Sequence, residues 1–331
     1  MRFTTPVNAA KSDVEITHKS NIMLLGSCFA QNIGNKLQAY KFNICTNPFG
    51  ITYNPLSIAT ILQRIVAGEP FTACSPEILE NGENWHSLLH HSDFSRRTKN
   101  ELLSNINSSL QKAHKHAQTA DILIITFGTA YVYTRGSDGM VVNNCHKLPA
   151  SNFTRKLLSI EEITDSMSKA LAPIIANRPG VKILFTVSPI RHLRDGAHDN
   201  QLSKATLLLA IEQLQKTFGK NTAYFPSYEI VLDELRDYRF YAEDMAHPSP
   251  VAVEYIWEKF AAAYISRGSN ALCNAIEEIE RALAHKPFDA TSNVYKDFVR
   301  ATLKKIDAVK QQHPYLNFEK EIEQCNTLLN I

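Results

Sequence analysis

The chain has 331 residues, 44% of them hydrophobic, enough for a packed core in one large domain or in a domain with an appendage. Lysine and arginine number 35 against 33 aspartates and glutamates, a formal net charge of +2, so neither nucleic acid nor an anionic membrane is indicated as a partner. No apolar run reaches the ~18 residues of a membrane span, the first residues lack the apolar core of a secretory signal, and the six cysteines are scattered without a C-x-x-C pair, a pattern expected of reduced thiols in the cytoplasm and not of structural zinc.

Residues 22–25, I-M-L-L, form a short unbroken apolar run, as in a parallel strand buried on both faces. Gly26 lets the backbone turn, Ser27 and Cys28 sit on that turn, and Phe29, Ile33, Leu37 and Tyr40 recur at helical spacing. Residues 41–45 read as a second strand, the turn-rich 47–55 as a loop, and 56–66 as a helix. Residues 70–97, with Trp85, His86, His90, His91 and Asp93, fit a loop or β-ribbon better than any metal-site spacing. A helix is expected over 98–118, a buried strand over 121–126, and a hairpin joining 131–134 to 140–142. Residues 143–149 read as loop. A capping box at Ser159 and Glu162 opens a helix over 160–176, which Pro173 is expected to kink or shorten. A buried strand at 181–187, a polar loop at 195–200, a helix at 201–218, a strand at 223–225 and a helix at 251–265 complete an alternating β–α pattern. Beyond residue 266 the pattern is purely helical, over 271–285, 293–312 and 317–330. The expected division is therefore a domain over 1–268, with an insertion at about 51–120, and a helical extension over 269–331 that packs on the domain or on a second subunit.

In an open parallel sheet, ligands bind beyond the carboxyl ends of the strands. The residues following the strands here are Ser27 and Cys28, then Gly50, then Gly128 and Thr129, then Ser188, Arg191 and His192, and finally Asp244 and His247. Cys28 at a helix N-terminus meets a positive dipole end and free N–H groups, which favour a thiolate or an oxyanion. The competing reading is a buried cysteine in a strand-to-helix corner. The spacing of Asp244 and His247 lets a carboxylate orient an imidazole three positions later. Alone it reads equally as a helix cap beside a surface histidine; together with the first turn it points to catalysis.

The motif G-S-C-F-A at 26–30 is the signature for which the GSCFA family is named. The chain resembles that family also in F-G-T-A-Y at 127–131, N-C-H-K at 144–147, S-P-I-R-H at 188–192, Y-A-E-D-M-A-H-P-S at 241–249 and H-K-P-F at 285–288, so the resemblance covers nearly the full length. The family is similar to the SGNH (GDSL-type) hydrolases and acyltransferases. That similarity implies an α/β fold, a flavodoxin-like doubly wound parallel sheet, with the C-terminal helices as an appendage. It also implies acyl transfer by a Cys/Ser-His-Asp arrangement: Cys28 at the nucleophile position, or Ser27 if the turn is one residue shorter, with His247 and Asp244. Ala130 falls where the SGNH pattern carries its oxyanion asparagine. Replacement donors are sought among Asn54, Asn144, His146 and His192, with the N–H groups of Cys28 and Gly50, and with Gly128 at the same edge. The implied substrate is a small-molecule or carbohydrate acyl ester, or acyl-coenzyme A; no cofactor or metal is called for. A non-catalytic binding protein on the same scaffold is the alternative, and the C-terminal helices are the expected surface for any oligomer.

Overall fold

The computed structural model describes residues 4–330; the expected limits at residues 1 and 331 lie outside the described residues. In chain order, β1 (Asn21–Gly26) leads into α1 (Cys28–Ala39), β2 (Asn43–Thr46) into α2 (Pro55–Ala67), and a ribbon of β3 (Ile78–Asn81) and β4 (Asn84–Ser87) into α3 (Lys99–Thr119). β5 (Ile122–Phe127) is followed by β6 (Tyr131–Arg135), β7 (Val141–Val142) and β8 (Phe153–Leu157), then by α4 (Ile160–Asn177). β9 (Lys182–Val187) runs to α5 (Gly196–Phe218). β10 (Thr222–Phe225) runs to a short α6 (Ser227–Glu229) that widens into a π-helical turn at Ile230–Leu235. α7 (Pro250–Tyr264), α8 (Arg267–Ala284), α9 (Asn293–Gln312) and α10 (Glu319–Leu329) follow. None of the helices among the described residues is long and apolar enough to cross a membrane.

β1, β2, β5, β9 and β10 form one parallel sheet in the order β2-β1-β5-β9-β10. Counted within the sheet this is 2-1-3-4-5, the flavodoxin-like doubly wound order. Strand alternation sends successive side chains to opposite faces. Met23, Leu25, Leu123, Ile125, Ile183 and Phe185 pack under α2, α3, α4 and α5. Ile22, Leu24, Ile122, Ile124 and Leu184 pack under α1 and α7. Both faces are covered, which is why these strands read as continuous apolar runs.

The remaining elements show where tertiary contacts overrule local pattern. β8 had no counterpart in the sequence reading; it pairs antiparallel with β6, yet four of its five side chains are exposed, so it carries no apolar alternation. Residues 195–200 were expected as polar loop, but α5 begins at Gly196. Pro173 does not end α4, which continues to Asn177; the proline lies on the exposed side, where a helix tolerates a lost hydrogen bond.

The C-terminal helices enclose a core of their own, with Ile276, Ile279, Val299, Ile306, Phe318 and Cys325. They pack on the end of α1. Lys41 reaches Glu321 at 2.7 Å, with side chains only 16% and 11% exposed, and lies 4.6 Å from the centre of the Phe318 ring. Tyr40 touches both cores, and the N–H of His18 donates to Ser269.

Candidate active site

The turn after β1 is tightly packed. Gly26 has φ +143°, and a Cβ there would lie 2.2 Å from the carbonyl oxygen of Thr126 on β5. The N–H of Gly26 donates to Asn47 Oδ1, and its carbonyl accepts from the N–H of Thr52, so the loop after β2 is stitched onto this turn. Ser27 is 1% exposed and caps α1, its hydroxyl accepting from the N–H of Phe29. Cys28, the first residue of the helix, is half-buried, and its N–H has no acceptor among the described residues. Its Sγ lies 3.8 Å from Tyr53 Oη. Adjacent serine and cysteine thus take different tasks, one structural and one facing the site.

The loop from Asn47 to Asn54 brings Tyr53 to this thiol. Its carbonyl accepts from the N–H groups of both Gly128 (2.8 Å) and Thr129 (3.0 Å), which ties the loop to the turn after β5. Burial first, and then the adjacent Cys28 thiol, push the phenol above its usual pKa, so it stays an O–H donor. The ring stands edge-on to His192, centroids 5.9 Å apart. Sequence reading missed Tyr53. The available signal was an aromatic residue set among turn residues, I-T-Y-N-P, just past a strand's carboxyl end.

Several expected oxyanion donors are already committed. The N–H of Gly50 donates to Asn47 at 2.7 Å, and that of Gly128 to Tyr53. Asn54 is the buried N-cap of α2: its Oδ1 accepts from the N–H of Ser57 and its Nδ2 donates to the Ser57 hydroxyl. Asn144 accepts from the N–H of His146. His146 is buried against the β3–β4 ribbon, bonded to the carbonyl of Ser87 and packed on His86. Of the four side chains sought as replacement donors, only His192 touches the Cys28–Tyr53 group. Among the described residues no group of three or more His, Cys, Asp and Glu side chains is placed to hold a metal ion.

α5 supports this edge from below through three consecutive inward positions. Asn200 Oδ1 accepts from the N–H of His192, Ser203 Oγ accepts from the N–H of Ala130, and Lys204 Nζ donates to the carbonyls of Gly128 (2.6 Å) and Ser188 (2.8 Å). Lys204 was not singled out from sequence, although it shares a helical face with Leu207, Ile211 and Leu214. Burial pushes its ammonium down to about 7. The unfolded chain therefore holds a proton at this site, between about pH 7 and the usual lysine value of 10.5, that the folded chain does not. Stability must rise with pH across that window. Urea titrations are expected to show the wild type gaining stability relative to Lys204→Met from pH 7 to pH 9; a gap that stays flat would mean the amine is not desolvated. His192 above it is pulled down to about 4 by burial first, then by Lys204 and by His247, and so stands neutral.

Asp244 and His247 occupy the loop before α7. Asp244 Oδ1 accepts from the N–H groups of Ala246 and His247, both at 2.9 Å, and its Oδ2 takes the imidazole Nδ1–H at 2.5 Å. The N–H of His247, then that of Ala246, then the ring hold the carboxyl down at about 2, so it is ionised at any working pH. Nε2 has no protein partner among the described residues. The loop is bonded to its neighbour after β9: the N–H of Arg191 donates to the carbonyl of Ala246 at 3.0 Å. No direct hydrogen bond joins Cys28 to His247 among the described residues; Cys28 meets Tyr53, and Tyr53 stands against His192. Beside this loop opens a cleft of about 560 Å³, lined by Arg191, Asn200, Gln201, Tyr228, Arg236 and Tyr241 among others.

Residues 21–260 match the model of the GSCFA family, and residues 276–331 match that of the GSCFA domain protein, C-terminal domain. The chain belongs to the GSCFA family. In this GSCFA protein the five signature letters have separate physical tasks: Gly26 makes the close approach to β5, Ser27 caps the helix, Cys28 faces the site, and Phe29 and Ala30, 1% and 0% exposed, seat α1 on the sheet. No curated protein matches the chain. Among solved structures it is similar to a Corynascus thermopiles (Myceliophthora fergusii) carbohydrate esterase family 2 enzyme plus carbohydrate-binding domain. The two are 15% identical, the match covers 81% of this chain and 69% of that one, and the TM-score is 0.37.

Proposed function

We propose that this protein is an acyl-transfer enzyme, an O-acyl esterase or an O-acyltransferase, with Cys28 as nucleophile, His247 as general base and Asp244 as its orienter. The supporting observation is the Asp244–His247 pair, with its carboxylate fixed by two backbone N–H groups and its Nε2 free, at the sheet edge where Cys28 opens α1. His247 takes the thiol proton as Sγ attacks the acyl carbonyl. The tetrahedral oxyanion collapses, the leaving oxygen takes the proton from His247, and an acyl-thioester remains on Cys28. Water then completes an esterase cycle; a sugar or other hydroxyl completes a transferase cycle. The cleft beside Arg191 offers room for an acceptor or for the body of a carbohydrate ester or acyl-coenzyme A.

One observation favours a second reading, a binding protein on an SGNH-like scaffold: the N–H groups of Gly128, Thr129 and Ala130 are all engaged internally and Ala130 has no amide side chain. Alkylation of Cys28, followed by mass spectrometry across pH, separates the two. In an acyl-transfer enzyme the thiol reacts quickly below pH 7 and loses that reactivity in His247→Ala. A thiol that titrates near 8.5, unchanged by the substitution, would support the binding protein.

A further inference from the structure

The site described above has a nucleophile and a base but lacks the amide donor that an acyl-transfer centre places on the developing oxyanion. Position 130 is an alanine, fully buried, with its N–H bound to Ser203. The nearby backbone donors are engaged: Gly50 with the carbonyl of Asn47 in its own loop, Gly128 and Thr129 with the carbonyl of Tyr53. Besides the ring of His192, which stands edge-on to Tyr53 with its Nε2 unpartnered among the described residues, two donors remain beside the sulfur. One is the N–H of Cys28, at the first turn of α1, without an acceptor. The other is the hydroxyl of Tyr53, whose only hydrogen-bond partner among the described residues is Sγ itself, at 3.8 Å.

That distance matters. It is long for a bond to sulfur, but it leaves room for the oxygen of an acyl group bonded to Sγ, which stands closer to the sulfur than the hydroxyl does, to lie within the roughly 2.7–3.1 Å that a donor needs. The ring is fixed from three sides. Its backbone carbonyl is held by two N–H groups from the turn after β5, the next residue caps α2, and His192 stands edge-on to it. Such a donor needs little reorganisation during the reaction.

Resting on the acyl-transfer reading, the geometry points to Tyr53 as the side-chain donor of the oxyanion hole, paired with the backbone N–H of Cys28. As Sγ bonds to the acyl carbon, the carbonyl π pair moves to oxygen, and the phenol O–H turns from sulfur to that oxyanion. Tyr53 keeps its proton throughout; the mobile proton passes from Cys28 to His247 and then to the leaving oxygen. When the oxyanion collapses, the hydroxyl returns to its free-enzyme position. Tyr53 is pre-set for this because its phenol remains protonated beside the thiol.

The test uses Tyr53→Phe, which keeps the ring and its packing, and two reactions of the same thiol. Acylation by 4-nitrophenyl acetate builds an oxyanion; alkylation by iodoacetamide does not. We expect the substitution to slow acylation, followed by mass spectrometry and by release of nitrophenolate, by roughly 100- to 1000-fold. Alkylation should change by less than about threefold, since Cys28 and His247 are untouched. Equal losses in both reactions would make Tyr53 a structural or thiol-activating residue and overturn the assignment. So would acylation at the wild-type rate. A wild-type protein whose Cys28 alkylates but never acylates would overturn the acyl-transfer reading and this assignment together, whereas an unimpaired Tyr53→Phe enzyme removes this assignment alone.

Discussion

Cys28→Ala is expected to lower turnover of an activated ester by about 10⁴- to 10⁶-fold, the loss seen when a nucleophile is removed from a cooperating set. Its thermal stability should stay close to wild type, because the half-buried thiol makes one weak side-chain hydrogen bond and packs only at the border of the core under α1 and α7. The informative comparison is with the residue beside it. Ser27→Ala removes the cap of α1, at a cost of about 1 kcal/mol of stability, and should leave turnover within a few-fold of wild type. Steady-state kinetics and urea denaturation on both variants separate chemistry from structure at adjacent positions. If Ser27→Ala abolished turnover in a folded protein while Cys28→Ala did not, the nucleophile assignment would be wrong.

Gly26→Ala should produce a large stability loss. A Cβ at this position would meet Thr126 at 2.2 Å from its carbonyl oxygen and 2.8 Å from its own Cβ, and φ is +143°. Thr126 is opposite Gly26 in the β1–β5 ladder, and its strand is paired on its other side with β9, so it has nowhere to retreat. The expected loss is at least about 4 kcal/mol, at the diagnostic end of the range for single substitutions. Gly82→Ala serves as control: φ is +64° but nothing lies within 4 Å. It should show only the left-handed backbone cost of about 1–2 kcal/mol. Denaturation midpoints of the two variants therefore isolate the clash from the dihedral strain. Similar losses in both would mean that β5 yields.

Much of the scaffold was readable because each central strand is buried on both faces and each covering helix is amphipathic, so local pattern and final environment agree. The place of Cys28 at the start of α1 and the contact of Asp244 with His247 were readable for a similar reason: each is defined by neighbours a few residues away. The missed features are set by distant contacts. Tyr53 is brought to Cys28 by bonds from Asn47 and from the turn after β5, and Ser203 and Lys204 acquire meaning only from Ala130, Gly128 and Ser188. Helical spacing did contain the anomaly of Lys204 on an apolar face, but not the two carbonyls that accept from it. Asn54 and His146 went the other way. Their polar groups suggested availability, and the fold uses them for a helix cap and for the packing of a ribbon.

The clasp between Lys41 and Glu321 joins residues 280 positions apart. On the ribosome, at about 5–20 residues per second, the end of α1 is made roughly 15–60 s before the helix that covers it. The two layers around the central sheet draw on residues no later than Cys273, so they can assemble while the last helices are still being synthesised. The side of Tyr40 that meets the C-terminal core then waits uncovered until those helices are made. Chains that stop short of those helices would present that patch to chaperones and proteases.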